Sequence, residues 1–405
     1  MVSAALLALA AGFGQFGAVA ALGDVAKTFG HLTGGPAVSE QAGLSGTELG
    51  LGLTVLRLAS LGALPLAGLA DRFGRRPTLL VSCATGLALT VAAAASPGYW
   101  WFVVIFALGR PFLSATASVA QVIAAELTAT SDRAKAVALI AAGYSVGAGI
   151  TAIMHSLAAT TLGFRGTFAM ALAPMALLPF ISRWLVEPDR FTLAAAAPEH
   201  PLPVFGAVAP AFRGRLAVVA ALAFAVSIIT GPANSFLFLY AQNVVRLSGV
   251  ATATMVGAAG VLGLVGLLAG RWLADHWGRR PTAALAMVAI SLFCVIAYSD
   301  SRLGLIIGYS LGVFAAATFA PAAGALANEL FPTSIRASVA GWQTAAGVLG
   351  AVTGLLAFGA AVDISNRFRL AALVTFVPPT CAALLFWRVP ETKNREPEDL
   401  WPDTP

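Results

Sequence analysis

Two arginines lie inside stretches of sequence that are otherwise almost entirely apolar. Arg57 and Arg110 fall near the centres of such stretches, whereas each Asp and Glu lies at the edge of a stretch, in a connecting segment or in the tail. An ionisable group buried among apolar residues is costly and indicates a functional site. The fork of donors on a guanidinium suits a carboxylate, sulfonate or phosphate. In the alternative interpretation, either arginine satisfies backbone carbonyls or bridges helices structurally.

Polar residues accompany Arg110 at helical spacing. Ser114, Ser118 and Gln121 follow at i+4, i+8 and i+11, so a helix would carry them on one face, as the wall of a water-filled cavity requires. Pro111 is expected to kink this helix. Two further apolar stretches carry polar residues at central depth, and these complete the predicted substrate-binding set: Arg110, Arg57, Gln15, Ser114, Asn234, Thr230 and Gln121.

Composition indicates that these residues lie on membrane-spanning helices. The 405 residues are 59% hydrophobic and 10% charged, whereas soluble proteins carry about 25% charged residues. Apolar stretches of about 20 residues can cross the hydrocarbon layer, where helices satisfy all backbone hydrogen bonds. The predicted spans are 3–29, 46–69, 77–96, 99–125, 134–159, 166–186, 214–242, 249–272, 281–298, 303–327, 337–362 and 368–388.

A ten-residue phrase occurs twice in the chain. Residues 69–78 return as residues 273–282, and the two copies differ at only two positions. Each copy is a charged loop between apolar stretches, so the repeat predicts two homologous membrane halves. We therefore predict an all-α membrane protein with twelve transmembrane helices in two pseudo-symmetric six-helix halves. The predicted parts are an N-terminal half 1–186, a cytoplasmic linker 187–213, a C-terminal half 214–389 and a cytoplasmic tail 390–405.

The repeated phrase resembles the cytoplasmic signature of the major facilitator superfamily, which follows the second helix of each half. A second repeated element, Glu126 with Arg133 and Glu329 with Arg336, is similar to a loop in the sugar-porter and organic-ion branches, as is the tail from Pro390. The resemblance implies a central cavity lined by helices one, four, seven and ten.

It also implies charged pairs that hold the cytoplasmic side shut. The residues expected in this cytoplasmic gate are Asp71, Arg72, Arg75, Arg76, Glu126, Arg133, Asp275, Arg279, Arg280, Glu329 and Arg336. In the alternative interpretation the arginines only fix the topology, because basic residues favour cytoplasmic loops.

The sequence thus predicts a secondary transporter for a small polar solute, such as an organic anion or another metabolite. A drug or metabolite efflux antiporter of the same fold is the alternative, and a transport-dead sensor or scaffold is a third. Most of the 24 lysines and arginines fall on one side of the predicted membrane, so both termini are expected in the cytoplasm of a bacterial cell, with the chain in the plasma (inner) membrane.

No set of residues has the arrangement expected for an enzyme, a metal site or a cofactor. The expected partners are a small-molecule solute, with or without a coupling proton or ion, and the lipid bilayer, but not nucleic acid; the chain is expected to be a monomer. In proton-coupled sugar porters an Asp on helix one pairs with an Arg on helix four. Gln15 and Phe16 occupy the matching stretch here, and Asp24 lies about two turns further on, which argues against that route.

Overall fold

The computed structural model describes residues 1–31, 40, 42–128, 133–187, 208–395 and 401. Within these residues, twelve helical segments are long and apolar enough to cross a membrane, which confirms the predicted number. No strand occurs in the described residues, in agreement with the predicted all-α class. The twelve are α1 (Val2–Ala20), α2 (Gly46–Ala70), α3 (Arg75–Ala94), α4 (Tyr99–Glu126), α5 (Lys135–Leu157), α6 (Gly163–Ser182), α7 (Pro210–Val244), α8 (Gly249–His276), α9 (Arg279–Ala297), α10 (Arg302–Glu329), α11 (Ser338–Ser365) and α12 (Phe368–Arg388).

Several helices differ locally from the predicted spans. The first span, predicted to run to residue 29, is interrupted at Ala21, and a separate short helix follows over Leu22–Phe29. A 3₁₀ turn over Ser60–Gly62 interrupts α2. The segments α5 and α6 follow one another without an intervening loop, and Gly163 with φ of 55° breaks the helical path between them. A single positive-φ glycine thus replaces the loop that the sequence predicted there.

The chain divides into two compact units. The first comprises Met1–His31, Val55–Pro201 and Ser248–Ala253, and the second comprises Leu32–Thr54, Leu202–Leu247 and Thr254–Pro405. Both units thus contain segments from either side of the predicted linker 187–213, of which residues 188–207 lie outside the described part of the chain. The four predicted domain ranges stay a prediction.

Close packing of α1 against α5 organises the first unit. A Cβ on Gly12 would overlap the carbonyl of Tyr144, and a Cβ on Gly147 would overlap the carbonyl of Leu9. Only glycine allows backbones to approach this closely, as is common where membrane helices pack. The hydroxyl of Thr151 also donates to the carbonyl of Phe13 at 2.9 Å. The two glycine contacts fix how α5 is rotated relative to α1, and therefore which side chains of the two helices meet.

In the second unit, α7 packs against α11 through glycines of α11. Cβ atoms on Gly350 and Gly354 would overlap carbonyls of Phe224 and Ile228. The carboxylate of Asp363 accepts hydrogen bonds from the backbone nitrogens of Gly46 and Thr47, at 2.7 and 2.8 Å. It thereby caps the first turn of α2, whose amides have no partners within the helix.

Candidate functional site

Gln15 lies at the centre of a polar cluster inside the first unit. Its side chain is 5% exposed, and its amide nitrogen donates to Ser114 Oγ at 2.7 Å. Its Oε1 accepts a hydrogen bond from the Tyr144 hydroxyl at 2.5 Å. Nη1 of Arg110 donates to its backbone carbonyl at 3.0 Å. Three predicted residues, Gln15, Arg110 and Ser114, are therefore brought together by α1 and α4, with Tyr144 added from α5.

The guanidinium of Arg110 is held by one hydrogen bond and has further N–H donors available for a ligand. Only its bond to the Gln15 carbonyl occurs among the described residues, and its Nε is buried with no hydrogen-bond partner there. A buried charged donor without a partner is costly, so it is suited to a ligand that supplies an acceptor. Pro111 follows directly in the chain and lies inside α4.

Arg57 reaches the same region from α2. A Cβ on Gly62 would lie 3.2 Å from Pro111 Cβ and Cγ, so α2 and α4 are in direct contact there. Arg57 lies close enough for its charge to act on Arg110. Its side chain is partly exposed, and it makes no hydrogen bond or ion pair with any residue that the structure describes.

Acidic groups do not balance these two cations. The acidic residues of the twelve spans all lie at span ends, so none shares the depth of Arg57 and Arg110. Two guanidiniums in one apolar region repel each other, and the repulsion is stronger than in water because the local dielectric constant is low. An anion between or beside them would relieve it. The arrangement can therefore bind a carboxylate or a similar anion, oriented by Arg110.

The other predicted binding residues lie outside this cluster. Gln121 is exposed, and its 11-residue separation from Arg110 corresponds to about 16 Å along α4. Thr230 and Asn234 belong to the second unit, where their side chains bond to α7 carbonyls at 3.0 and 2.9 Å. Both line a cavity of about 330 Å³ in that unit, together with Tyr309.

Sequence reasoning missed Tyr144. Tyr144 lies in the glycine-rich stretch 143–149, and glycines at such spacing indicate close helix packing rather than a polar contact. The available signal was a polar aromatic side chain within a span, next to the glycines that bring α5 against α1.

A second cluster lies at the end of the first unit that contains the loop between α2 and α3. Arg75 and Glu126 form a two-point ion pair, with Nε–Oε2 at 3.2 Å and Nη2–Oε1 at 3.0 Å. Nη1 of Arg75 also donates to the Ala70 carbonyl at 3.1 Å. The predicted gate residues Arg75 and Glu126 therefore meet, and they do so within one unit.

Glu187 completes this cluster and was not among the predicted gate residues. Its two carboxylate oxygens accept from the backbone nitrogens of Arg75 and Arg76 at 2.6 and 2.8 Å. A carboxylate at this position satisfies unpaired amides of α3 and interacts favourably with its dipole. Glu187 with Pro188 after the sixth span is similar to Pro390 with Glu391 in the tail, and this similarity was the available signal for the residue.

The second unit repeats the cluster with looser geometry. Nη2 of Arg279 lies 3.4 Å from Glu329 and 3.6 Å from Asp275. Glu391 accepts from the backbone nitrogens of Arg279 and Arg280 at 2.9 and 3.0 Å. The sequence repeat therefore corresponds to a repeated structure. In each unit, an arginine at the start of a helix pairs with a glutamate, and a carboxylate distant in sequence caps that helix.

Two other predicted gate residues with described side chains, Arg336 and Arg72, do not join these pairs. Nε of Arg336 donates to the Phe331 carbonyl at 2.9 Å, and the Arg72 guanidinium lies 5.5 Å from the centre of the Phe73 ring. The side chains of Asp71 and Arg133 lie outside the described part of the structure. The gating role of the whole set stays a prediction.

Comparisons with known protein families, sequences and structures agree on one family of membrane transporters. A sequence model described as Major Facilitator Superfamily matches residues 4–296 and 264–404. The "Gallate transporter" of Pseudomonas putida is 25% identical over 390 residues, covering 86% of this chain and 85% of that protein. The "Probable 4-methylmuconolactone transporter" of Cupriavidus pinatubonensis is 23% identical over 381 residues, covering 90% and 87%. The inward-open xylose transporter XylE from E. coli has a TM-score of 0.73 at 17% identity, covering 99% of both chains.

Proposed function

The chain belongs to the major facilitator superfamily. We propose that it transports a small organic carboxylate. Family membership makes it a multi-pass membrane transporter rather than an enzyme, as the sequence predicted. In the proposal, Arg110 and Arg57 bind the carboxylate, and Gln15, Ser114 and Tyr144 hold Arg110 in position. Transport proceeds by alternating access, in which the site opens to one side of the membrane at a time. We place the protein in the inner membrane with both termini in the cytoplasm.

The observation that carries the proposal is the pair of arginines at one depth without a matching acidic group. A structural arginine at such depth is expected to use its donors on carbonyls or a carboxylate. Arg110 donates to the Gln15 carbonyl but also keeps a buried Nε without a partner among the described residues, and the side chain of Arg57 makes no hydrogen bond to them. A monovalent organic anion would compensate one of the two charges, and a divalent one would compensate both.

Two relatives support the choice of a carboxylate over a neutral solute. The transporter from P. putida is named for gallate, which is a carboxylate, and the protein from C. pinatubonensis is named for a lactone of an organic acid. The likeness to the xylose transporter shows the shared fold and does not favour a sugar, because its identity to this chain is only 17%.

The test is uptake into proteoliposomes that contain the purified protein. Radiolabelled gallate and radiolabelled xylose are offered separately, and we expect saturable uptake of gallate alone. Arg110→Ala is expected to weaken gallate binding about 10- to 100-fold, as for a lost charged hydrogen bond. The matched control is Arg302→Ala, which removes an exposed arginine at the start of α10. Saturable xylose uptake without gallate uptake, or equal losses in both variants, would overturn the proposal.

A further inference from the structure

At the end of the first unit away from Arg75, two titratable side chains face each other. Oδ2 of Asp24 lies 3.4 Å from Nε2 of His155, whose side chain is fully buried. Neither atom has a hydrogen-bond partner among the described residues. The function proposed above makes no use of this pair.

Thr167 connects to the other nitrogen of the same imidazole. Its Oγ1 lies 2.7 Å from His155 Nδ1 and 3.1 Å from the carbonyl of Gly163. A threonine hydroxyl has one proton and can both donate and accept. It can therefore donate either to His155 Nδ1 or to the Gly163 carbonyl.

These contacts allow the cluster to exist in two states that differ by one proton. Without the proton, Thr167 donates to Nδ1, and the hydrogen on Nε2 faces the Asp24 carboxylate. With the proton, Nδ1 carries a hydrogen and donates to Thr167, which turns to donate to the Gly163 carbonyl. One hydrogen then remains between Nε2 and Oδ2. Thr167 Oγ1 and Nδ1 stay hydrogen-bonded to each other in both states with the direction of the bond reversed, so uptake of a proton leaves neither of them unpaired.

We propose that Asp24 and His155, with Thr167, form the binding site for one proton that is transported with the solute. This inference rests on the transport function proposed above. The proton forms an O–H bond with Asp24 or an N–H bond with His155, and it leaves from the same pair on the other side of the membrane. Its charge offsets that of a carboxylate, so their joint transport moves no net charge.

Charged or titratable side chains lie near the pair on three neighbouring elements: the short helix Leu22–Phe29, α4 and α6. Lys27 on the short helix Leu22–Phe29 carries a positive charge close to the pair and opposes protonation of Asp24. Arg165, at the beginning of α6, donates to the Ser96 carbonyl at 3.3 Å. Tyr99, at the beginning of α4, packs on Trp100 at 5.5 Å between ring centres. The helix α1 carries no titratable side chain.

Burial of Asp24 supports protonation of the pair. The loss of hydration raises the pKa of the Asp24 carboxyl above its ordinary value of 3.8, and Lys27 only partly opposes this. Because Asp24 and His155 interact, the proton belongs to the pair rather than to one residue.

The proton pair and the arginine cluster are built on the same two packed helices. Tyr144 and His155 both belong to α5, while Gln15 and Asp24 lie on α1 and on the short helix that follows it. The nine residues from Gln15 to Asp24 correspond to about 13 Å of helix. A displacement of α5 along α1 would therefore alter both sites, which is the connection that coupling requires.

The experiment separates exchange from accumulation in proteoliposomes, with radiolabelled gallate as the probe. Exchange of labelled for unlabelled gallate at equal pH needs no net proton movement, whereas accumulation driven by a more acidic outside does. We expect His155→Gln, Asp24→Asn and Thr167→Val to keep exchange and to lose accumulation. Protein-free vesicles measure the gallate that crosses the bilayer by diffusion as the neutral acid. His155→Gln vesicles that accumulate gallate like the wild type would overturn the proposal.

Thr151→Val is the matched control. It removes a buried hydroxyl one helical turn from His155, and that hydroxyl bonds only to the carbonyls of Phe13 and Gly147. We expect this variant to retain both exchange and accumulation, which separates the proton pair from general damage to α5. Loss of accumulation in Thr151→Val equal to that in Thr167→Val would count against the proposal.

A second measurement keeps the test independent of the solute. Nitrogen NMR of the purified protein follows its four histidines, with the His155 signals assigned through His155→Gln. We expect Nδ1 of His155 to gain a proton as the pH falls from about 8 to 3, and Thr167→Val to abolish this change. If wild-type vesicles do not exchange gallate, the transport proposal fails for this solute. The NMR titration then tests the proton site by itself. An Nδ1 signal that stays constant over this range would refute the site.

Discussion

The hydroxyl of Tyr144 donates to Oε1 of Gln15 at 2.5 Å, joining α5 to α1 beside the Arg110 guanidinium. The same glutamine donates to Ser114, so its amide is fixed in one orientation. The backbone carbonyl of Gln15 receives the Arg110 donor. The rigidity of Gln15 therefore determines where the charge of Arg110 is presented, and Tyr144 is a positioning residue for the anion.

Removing this hydroxyl is expected to weaken binding modestly. In Tyr144→Phe the aromatic ring remains, while Gln15 Oε1 loses its donor and Arg110 gains freedom. The lost hydrogen bond corresponds to about 1 kcal/mol, or roughly a five- to tenfold rise in the dissociation constant for gallate. Isothermal titration calorimetry of the purified protein measures it. Ser145→Ala is the control, because Ser145 is exposed and its hydroxyl bonds to the Ala141 carbonyl. An unchanged affinity in Tyr144→Phe would exclude this positioning role.

Lysine substitutions distinguish the charge of each arginine from its hydrogen-bonding geometry. Arg110 uses Nη1 on the Gln15 carbonyl while Nε stays available, and a lysine cannot do both from one fixed position. Arg57 makes no such bond to the described residues, so its charge alone is expected to suffice. We therefore expect Arg110→Lys to lose about 10-fold or more in gallate affinity, and Arg57→Lys to lose less.

The outcome is measured by calorimetry on both variants and on Arg57→Ala. If Arg57→Lys binds as weakly as Arg57→Ala, then Arg57 contributes through geometry and not through charge. A similar affinity of Arg110→Lys and the wild type would contradict the role of the Arg110 guanidinium fork.

Part of the site could be predicted from the sequence because it follows from the period of a single helix. The stripe through Arg110 and Ser114 requires only the helical repeat, and the apolar setting singles out Gln15. Tyr144 could not be placed in this way, because its position depends on how α5 is rotated against α1. That rotation is set by backbone contacts at Gly12 and Gly147, which no repeat within one helix reveals.

The fold could be predicted from composition and from the internal repeat. The local breaks in the helices could not. The twelve spans appear because uninterrupted apolar stretches have the length of a membrane crossing. The path between α5 and α6 depends instead on the positive φ of Gly163. The caps by Glu187 and Glu391 join residues 112 positions apart, to the nitrogens of Arg75 and Arg279. Their equal separations show that the repeat preserved the contact, although the spacing alone did not identify it.

The two ion pairs of the repeat are expected to differ in strength. Arg75 and Glu126 form two short contacts, whereas Arg279 lies 3.4 Å from Glu329 and shares its charge with Asp275. Two-point pairs in a partly buried site are stronger than single, more exposed ones. Double-mutant cycles with Gln substitutions, read from thermal unfolding in detergent, should give a coupling of about 1–2 kcal/mol for the first pair and a smaller value for the second. A larger coupling for Arg279 and Glu329 would contradict the geometry.

The stability of the protein should depend on pH through Asp24. Burial raises the pKa of this carboxyl from its ordinary value of 3.8, because the folded environment disfavours the charged form. The folded state therefore binds the proton more tightly than the unfolded state, and stability falls as the pH rises through the folded pKa. Asp24→Asn imitates the protonated carboxyl and should be more stable than the wild type at pH values above that point.

The measurement is the melting temperature of both proteins in detergent from about pH 4 to 8, across the ordinary and the raised pKa. We expect the advantage of Asp24→Asn to shrink as the pH approaches 3.8, where the wild-type carboxyl is protonated even when unfolded. In a Lys27→Gln background the charge that opposes the rise of the Asp24 pKa is absent, so the advantage at neutral pH should be larger. A wild type that is more stable than Asp24→Asn at neutral pH would show that the Asp24 charge is stabilised in the folded protein, which is the opposite of the effect of burial.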